Sequence, residues 1–430
     1  AYMNPILLKP SGNHMSQLIM KGKFIKNISS SDYQDLKPDL VSWLDQVYQR
    51  YQRDFDIVVL EGAGSPVEIN INKLDISNME MARIADSPVV LVADIDRGGV
   101  FASIVGTLSL MSDEERSRVK GVIINKFRGR KDYFSEGVRL LEDIIKIPVL
   151  GVVPYQKLGI DEEDGVSEKT YKEAKQVYRK DKLNVVVLKL DHMSNYTDFN
   201  VFEHIEGLEL SYISPDQDLE ASDGQNGKVG PDILIIPGSK NTLGDMERLN
   251  KSPMRDQILA YSKRGGLIVG LCGGYQMLGQ TIRDDRGLDG SRGKVDGLGL
   301  LEVDTVFGSD KITGQVRWNF GHEEGYFFGL ENSQIEGYET HLGRTYPGPD
   351  DNYKIKNGHI MGTYCHGLFD SAGFLSGLLN NIAKAKGLAR AFEVKDYRAI
   401  KNKEYNKLAD LIRENIDMEK VYNIIFSRDI

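Results

Sequence analysis

The residue best placed to do chemistry is Cys272. It follows the apolar run Leu267–Leu271 and opens Cys272-Gly273-Gly274-Tyr275-Gln276-Met277-Leu278-Gly279. An apolar strand, a nucleophile among glycines and then a helix-compatible run predict a strand–turn–helix elbow, where bulkier side chains would collide with neighbouring strands. The helix that follows directs its positive dipole end and free N–H groups at the sulfur, which favours thiolate and offers donors to an oxyanion. A cysteine nucleophile needs a base. His366 ends a second apolar strand, in Thr363-Tyr364-Cys365-His366-Gly367, and two strands of one sheet can bring such ends together. A cysteine taken alone is more simply a small buried hydrophobe; the elbow glycines, Gln276 and His366 together favour a Cys272–His366 dyad. Asp370 and Glu339 are both available to orient the imidazole, and the sequence leaves that choice open. Cys365 has no elbow and is expected to be structural. His341, in Gly337-Tyr338-Glu339-Thr340-His341-Leu342-Gly343, either lines the site or packs.

A second group of polar residues lies earlier. Asp56-Ile57-Val58-Val59-Leu60-Glu61-Gly62-Ala63-Gly64-Ser65 delivers Glu61 beside glycines, and Ala93-Asp94-Ile95-Asp96-Arg97-Gly98-Gly99 repeats the design. Such strand-end carboxylates suit Mg²⁺ carried by nucleotide phosphates, because that ion takes one or two carboxylates plus phosphate and water. Arg97 suits anionic oxygens. Each acid taken singly is equally well explained as a helix cap or turn residue. A phosphate-cradling loop ending in Gly-Lys-Ser/Thr is absent from the 430 residues. The chain starts at Ala1, not methionine, and the loop is expected in a segment upstream.

The elements that must position these residues read as two domains, which the length of 430 residues also favours. In the first half, apolar runs at 55–60, 88–93, 119–124 and 147–153 alternate with helical spacing at 78–85 and 135–145. Strands apolar on both faces, alternating with helices, predict a parallel sheet covered by helices. Ligands sit beyond the carboxyl ends of such strands, where Glu61, Asp94 and Asn125 would lie. A second series at 183–190, 233–236, 267–271 and 359–364 predicts another α/β sheet. The expected domains are 1–157 and 183–380, with a helical extension at 381–430. Residues 158–182 are either a connection or a solvated helix within one domain.

Composition narrows the function classes. A formal charge of −9 argues against nucleic acid as the main partner, because a phosphate-tracking surface needs a basic excess. Two cysteines in so long a chain form no disulfide framework and suit a reducing cytoplasm. The sequence contains neither a secretory apolar segment nor a run long enough to span a bilayer.

The second half resembles the class I glutamine amidotransferase domain, which is flavodoxin-like. The resemblance implies that Cys272 attacks the side-chain amide of glutamine, that His366 shuttles protons and that Gln276 helps seat glutamine. It makes Pro237-Gly238-Ser239-Lys240 the oxyanion loop, with the Gly238 N–H as donor beside Gly273 at the elbow. Many members carry glutamate two residues after the histidine; Leu368 stands there, which puts the third member of the site in doubt. The whole chain resembles the CobQ-type cobyric acid synthases. This rests on Met3-Asn4-Pro5-Ile6-Leu7-Leu8-Lys9-Pro10, Glu61-Gly62-Ala63-Gly64-Ser65-Pro66, Asp94-Ile95-Asp96-Arg97-Gly98-Gly99-Val100-Phe101, Asn125-Lys126-Phe127-Arg128-Gly129 and the Cys272 elbow.

That resemblance implies a P-loop NTPase domain of deethiobiotin-synthetase type, without its N-terminal P-loop segment, joined to a glutaminase. It implies glutamine, ATP and Mg²⁺, and amidation of the b, d, e and g carboxylates of adenosylcobyrinic acid a,c-diamide through acyl phosphates. Glu61, as a Mg²⁺ ligand, and Asp94 would serve Mg²⁺–ATP or the acceptor. Asn125 would meet the adenine, and Asn4, Asp96 and Arg97 the corrinoid; Asn4-Pro5 reads equally well as a turn. The partners implied are small molecules, not nucleic acid or membrane. Rival readings are the a,c-diamide synthase of similar plan, which the segment 4–10 and the residues after Cys272 disfavour, and a catalytically incomplete scaffold, which would release no glutamate.

Overall fold

The computed structural model describes residues 3–12, 15–69, 75–160, 178–222, 228–321, 324–331, 333–348 and 352–426. The chain divides into two units, 1–159 with 403–430, and 160–402.

The first unit begins with an antiparallel meander, β1 (Ile6–Gly12), β2 (Met15–Met20) and β3 (Lys23–Ser29), where the sequence pattern predicted no strands. Ser29 and Asp32 form a reciprocal capping box that starts the 25-residue helix Ser30–Asp54. A parallel sheet follows, in the order β4 (Val89–Asp94), β5 (Val119–Phe127) and β6 (Val149–Pro154). Its register pairs Asp94 with Asn125 at the strand ends. Helices Val100–Leu110 and Lys131–Ile145 pack on it; Ile104 and Leu141 join Val122 and Ile124 in the core.

The run 55–60, expected as a strand, is not one. Phe55, Ile57 and Val59 are 58%, 50% and 88% exposed, and the segment belongs to no ladder. Apolar composition makes a strand only where a neighbour takes up the backbone N–H and C=O groups. The tail expected as one extension at 381–430 is also divided, with 381–402 in the second unit. Ile416 and the helix Met418–Phe426 stay with the first, where Leu411, Ile412, Ile416 and Val421 pack on Leu150 and Val153 of β6. Of the expected connection at 158–182, residues 161–177 lie outside the described residues.

The second unit is built from β7 (Leu183–Leu188), β8 (Met193–Ser194), β9 (Leu208–Ile213), β10 (Ala221–Ser222), β11 (Lys228–Val229), β12 (Ile233–Ile236), β13 (Gly238–Ser239), β14 (Leu267–Leu271), β15 (Thr281–Asp284), β16 (Gly293–Asp296), β17 (Asp304–Asn319), β18 (Gln334–Tyr346), β19 (Tyr353–Lys356) and β20 (Ile360–Thr363). Its central sheet runs β19-β20-β14-β12-β7-β9, parallel except for the edge strand β19. Every residue of β7, β12, β14 and β20 is buried, as strands covered on both faces must be. A second sheet, β16-β15-β17-β18, carries the long antiparallel pair β17–β18. Its many polar residues and glycines hid it from an apolar-run reading.

Candidate active site

The register of the central sheet assembles the site. β14 and β20 pair with Leu271 opposite Thr363, and the Cys272 N–H donates to the Thr363 carbonyl at 2.8 Å. Cys272 therefore leaves its strand at the level where the chain toward His366 leaves the next. Its backbone sits at φ +51°, ψ −106°, a sparsely populated region that costs on the order of 1–3 kcal/mol and is held only by surrounding structure. Gly274 supplies part of that structure: a Cβ there would lie 1.9 Å from the Ile236 carbonyl oxygen. Only glycine lets the elbow sit down on β12.

His366 is fully buried. Its Nδ1 lies 2.7 Å from Oδ2 of Asp198, whose Oδ1 accepts from the Gly367 N–H at 2.9 Å. A carboxylate only accepts, so Nδ1 carries the proton and Nε2 is the nitrogen left to take one up. Nε2 is buried without a hydrogen-bond partner. Burial opposes a charge on the ring, but Asp198 and the nearby Cys272 sulfur outweigh it and push the His366 pKa up to about 10. Tyr338 stacks on the imidazole, with ring centroids 5.1 Å apart, and its backbone exchanges hydrogen bonds with that of His366. The position of the ring and its Nδ1 proton are both fixed.

Asp198, rather than Asp370 or Glu339, is the carboxylate hydrogen-bonded to the His366 ring. It lies 168 residues before His366, in the 3-10 turn Tyr196–His204 that follows β7 and β8. Glu339 is instead 3.7 Å from His341 Nε2, and Leu368, two residues after His366, is buried in the core. Asp198 lies ten residues past the end of β7, beyond β8, so no local pattern marked it. Of the two roles open to His341, packing fits the geometry: the ring stacks on Tyr364 at 3.6 Å and Nδ1 meets the Gly343 carbonyl at 2.7 Å. Cys365 is fully buried, and burial pushes its thiol up to about 12, so it remains protonated and inert.

Gly238 closes the other side of the site. A Cβ on it would stand 3.6 Å from His366 Cε1 and 3.8 Å from Cys272 Cβ. Gln276 is buried on the elbow helix; its Nε2 donates to the Tyr364 hydroxyl at 3.2 Å, and its Oε1 is buried without a partner. The structure thus brings Cys272, His366, Gly238, Gly273 and Gln276 together and adds Asp198.

The residues singled out in the first unit are more open. Asp94 is ion-paired with Lys126 at 2.7 Å and accepts from the Asp96 N–H at 2.8 Å; these contacts hold its carboxyl below the usual range. Asp96 pairs with Arg128, which stacks on Tyr155. Asn125 accepts from the Lys126 N–H at 2.8 Å. Asp94 and Asn125 are neighbours in register, whereas Glu61, exposed and outside any strand, is not part of their ladder. Asn4 and Arg97 are exposed. Among the described residues no cluster of three metal-ligating side chains occurs.

Comparison with known proteins agrees with this division. Residues 184–374 match the CobB/CobQ-like glutamine amidotransferase domain, and residues 10–162 match an AAA domain. The chain is 43% identical over 440 residues to the cobyric acid synthase of Clostridium botulinum (strain Alaska E43 / Type E3), covering 99% of this chain and 85% of that one. It is 41% identical over 447 residues to the cobyric acid synthase of Alkaliphilus metalliredigens (strain QYMF), covering 98% and 86%. The chain belongs to the cobyric acid synthase family. It is accordingly an enzyme, a glutamine-hydrolysing ligase with an amidotransferase unit and an ATP-using unit. No helix among the described residues is long and apolar enough to cross a membrane.

Proposed function

We propose that Cys272, His366 and Asp198 hydrolyse glutamine, and that the ammonia amidates the b, d, e and g carboxylates of adenosylcobyrinic acid a,c-diamide to give cobyric acid. The observation that carries the reading is the buried chain of contacts from Asp198 to His366 beside an elbow cysteine. The Cys272 thiolate attacks the amide carbon of glutamine. His366, as imidazolium, gives its Nε2 proton to the departing nitrogen, and ammonia leaves a glutamyl thioester. The now neutral ring takes a proton from water, whose hydroxide releases glutamate and returns the thiolate. Asp198 keeps the Nδ1 proton in place throughout. The loop containing Gly238 and the elbow N–H at Gly273 face the developing oxyanion, and the unpartnered Gln276 Oε1 is an acceptor for an N–H of glutamine.

In the first unit, ATP would phosphorylate each carboxylate to an acyl phosphate with release of ADP, and ammonia would attack the acyl carbon and displace phosphate to leave the amide. Glu61 is an exposed carboxylate suited to phosphate-borne Mg²⁺. Asp94 fits less directly, because Lys126 already neutralises it; we assign Asp94 and Asn125 to the nucleotide end of the sheet, and Asn4, Asp96 and Arg97 to the corrinoid. A reducing cytoplasm would keep Cys272 reduced and unoxidised.

Replacing Cys272 with alanine tests the reading. Glutamine-driven amidation should fall below detection while ammonium-driven amidation persists. Loss of both would make Cys272 structural, and retention of both would remove it from the mechanism.

A further inference from the structure

Asp245 lies in the first turn of the helix Thr242–Lys251 and is only 2% exposed. Its carboxylate accepts from Ser239 Oγ at 2.6 Å and from the His192 backbone N–H at 3.3 Å, and it lies 2.8 Å from His192 Nδ1. Burial pushes the Asp245 carboxyl above its usual range, against the pull of the hydrogen bonds from Ser239 and His192. Burying a carboxylate is costly, and this one joins two loops, the first ending in β8 and the second carrying β13. Ser239 Oγ also accepts from the Asn241 N–H at 2.9 Å, so its rotamer is fixed at both ends.

The ladder between these loops shows what is being held. Lys240 N–H donates to the His192 carbonyl at 2.8 Å, and the register pairs Ser239 with Met193 and Gly238 with Ser194. Bonded and unbonded pairs alternate along an antiparallel ladder. Lys240 and His192 share one such bond, the His192 N–H going to Asp245, so the bonded pair of this ladder is Gly238–Ser194, and Ser239–Met193 is unbonded. The Gly238 N–H is engaged with β8, while the Ser239 N–H points off the ladder. Ser239 N is also the atom nearest to where a Cβ of Gly273 would be, at 2.8 Å, so the elbow lies beside it.

We propose that Asp245 is a positioning residue which, through Ser239 and His192, fixes the Ser239 N–H beside Cys272 as the loop's oxyanion donor. This rests on the glutaminase reading and moves the donor from Gly238 to Ser239. Asp245 acts only through that loop, so its removal misplaces a transition-state contact and leaves the Cys272–His366 pair as it was.

The test uses the full chain, with glutamate release, iodoacetamide alkylation of Cys272 and binding of glutamate γ-semialdehyde, which forms a thiohemiacetal oxyanion on the sulfur. Asp245→Asn should lower kcat for glutamine by roughly ten- to a hundredfold, less than deletion of a donor outright. KM should stay within about twofold, the rate of alkylation should be unchanged, and semialdehyde affinity should fall in step with kcat/KM. Ser239→Ala removes a single hydroxyl and should give the same pattern if Asp245→Asn folds poorly; in the double variant the two losses should not add. An unchanged kcat in both variants would overturn the proposal. So would parallel loss of kcat and alkylation, which would mean general collapse of the site. The underlying reading fails separately, if the unaltered chain releases no glutamate or Cys272→Ala still does.

Discussion

The two groups of polar residues differ in how completely the protein itself satisfies them. Cys272 is half-buried, and the groups around it are buried and held from several sides: an elbow at positive φ, an imidazole clamped between Asp198 and Tyr338, and a loop latched to a helix. Around Asp94 and Asp96 the charges are part-exposed and pair with Lys126 and Arg128 across adjacent strand ends. Covalent catalysis needs its geometry before the substrate arrives, because misplacement by an ångström is costly in rate. A site for a highly charged ligand can keep its charges in exchangeable surface pairs, each worth little, and hand them over on binding.

Perturbations should fall unequally on the two regions. The largest effect is expected at Asp198. Asp198→Asn leaves the shape but allows the wrong imidazole tautomer, and glutamine-dependent kcat should drop about ten-thousandfold, on the scale of other triads that lose their carboxylate. Ammonium-driven amidation should be unaffected, and steady-state rates with the two nitrogen sources check both. If Asp198→Asn lowers the two equally, Asp198 is a stability element and the contrast between the regions is lost.

Gly274→Ala comes next, as a loss of stability. The new methyl would be forced against the Ile236 carbonyl, and overpacking of this kind costs about 1–3 kcal/mol. The urea midpoint should fall with an unchanged slope. An unchanged midpoint would mean that the elbow is not pinned as described.

The pH dependence of stability gives a third test. The His366 pKa is raised from 6.5 to about 10 in the folded chain. The imidazolium's contribution is then fully present below about pH 6.5 and is lost as pH rises through about 10. The stability advantage of the unaltered chain over Asp198→Asn should therefore be largest near pH 6 and shrink toward pH 10, as followed by urea unfolding at each pH. An advantage that grows with pH would contradict the charged ring.

The smallest effect on stability is expected in the first unit. Asp94→Asn breaks an exposed pair with Lys126, which is worth less than about 1 kcal/mol. Unfolding should hardly change, while ATP-dependent amidation falls. A loss of several kcal/mol would show that this pair is structural.

The elbow, the partner histidine and the four buried strands of the central sheet were legible in the sequence because each is a local pattern: an apolar run, a polar terminus, a glycine. Asp198 was not, because its relation to His366 exists only after β7 and β20 enter one sheet. Burial of His341 against Tyr364 depends likewise on β18, whose mixed polarity gives no apolar run. The segment 55–60 failed in the opposite sense: the run was there, and a strand neighbour was not. Local patterns locate a nucleophile well, and long-range pairing decides what surrounds it.

The most direct measurement is to treat the chain with 6-diazo-5-oxo-L-norleucine, a glutamine analogue that alkylates a nucleophilic thiol, and to map the adduct by peptide mass spectrometry. The account predicts one adduct, on Cys272, suppressed by excess glutamine, with Cys365 unmodified. Labelling of Cys365, or no labelling of either cysteine, would contradict it.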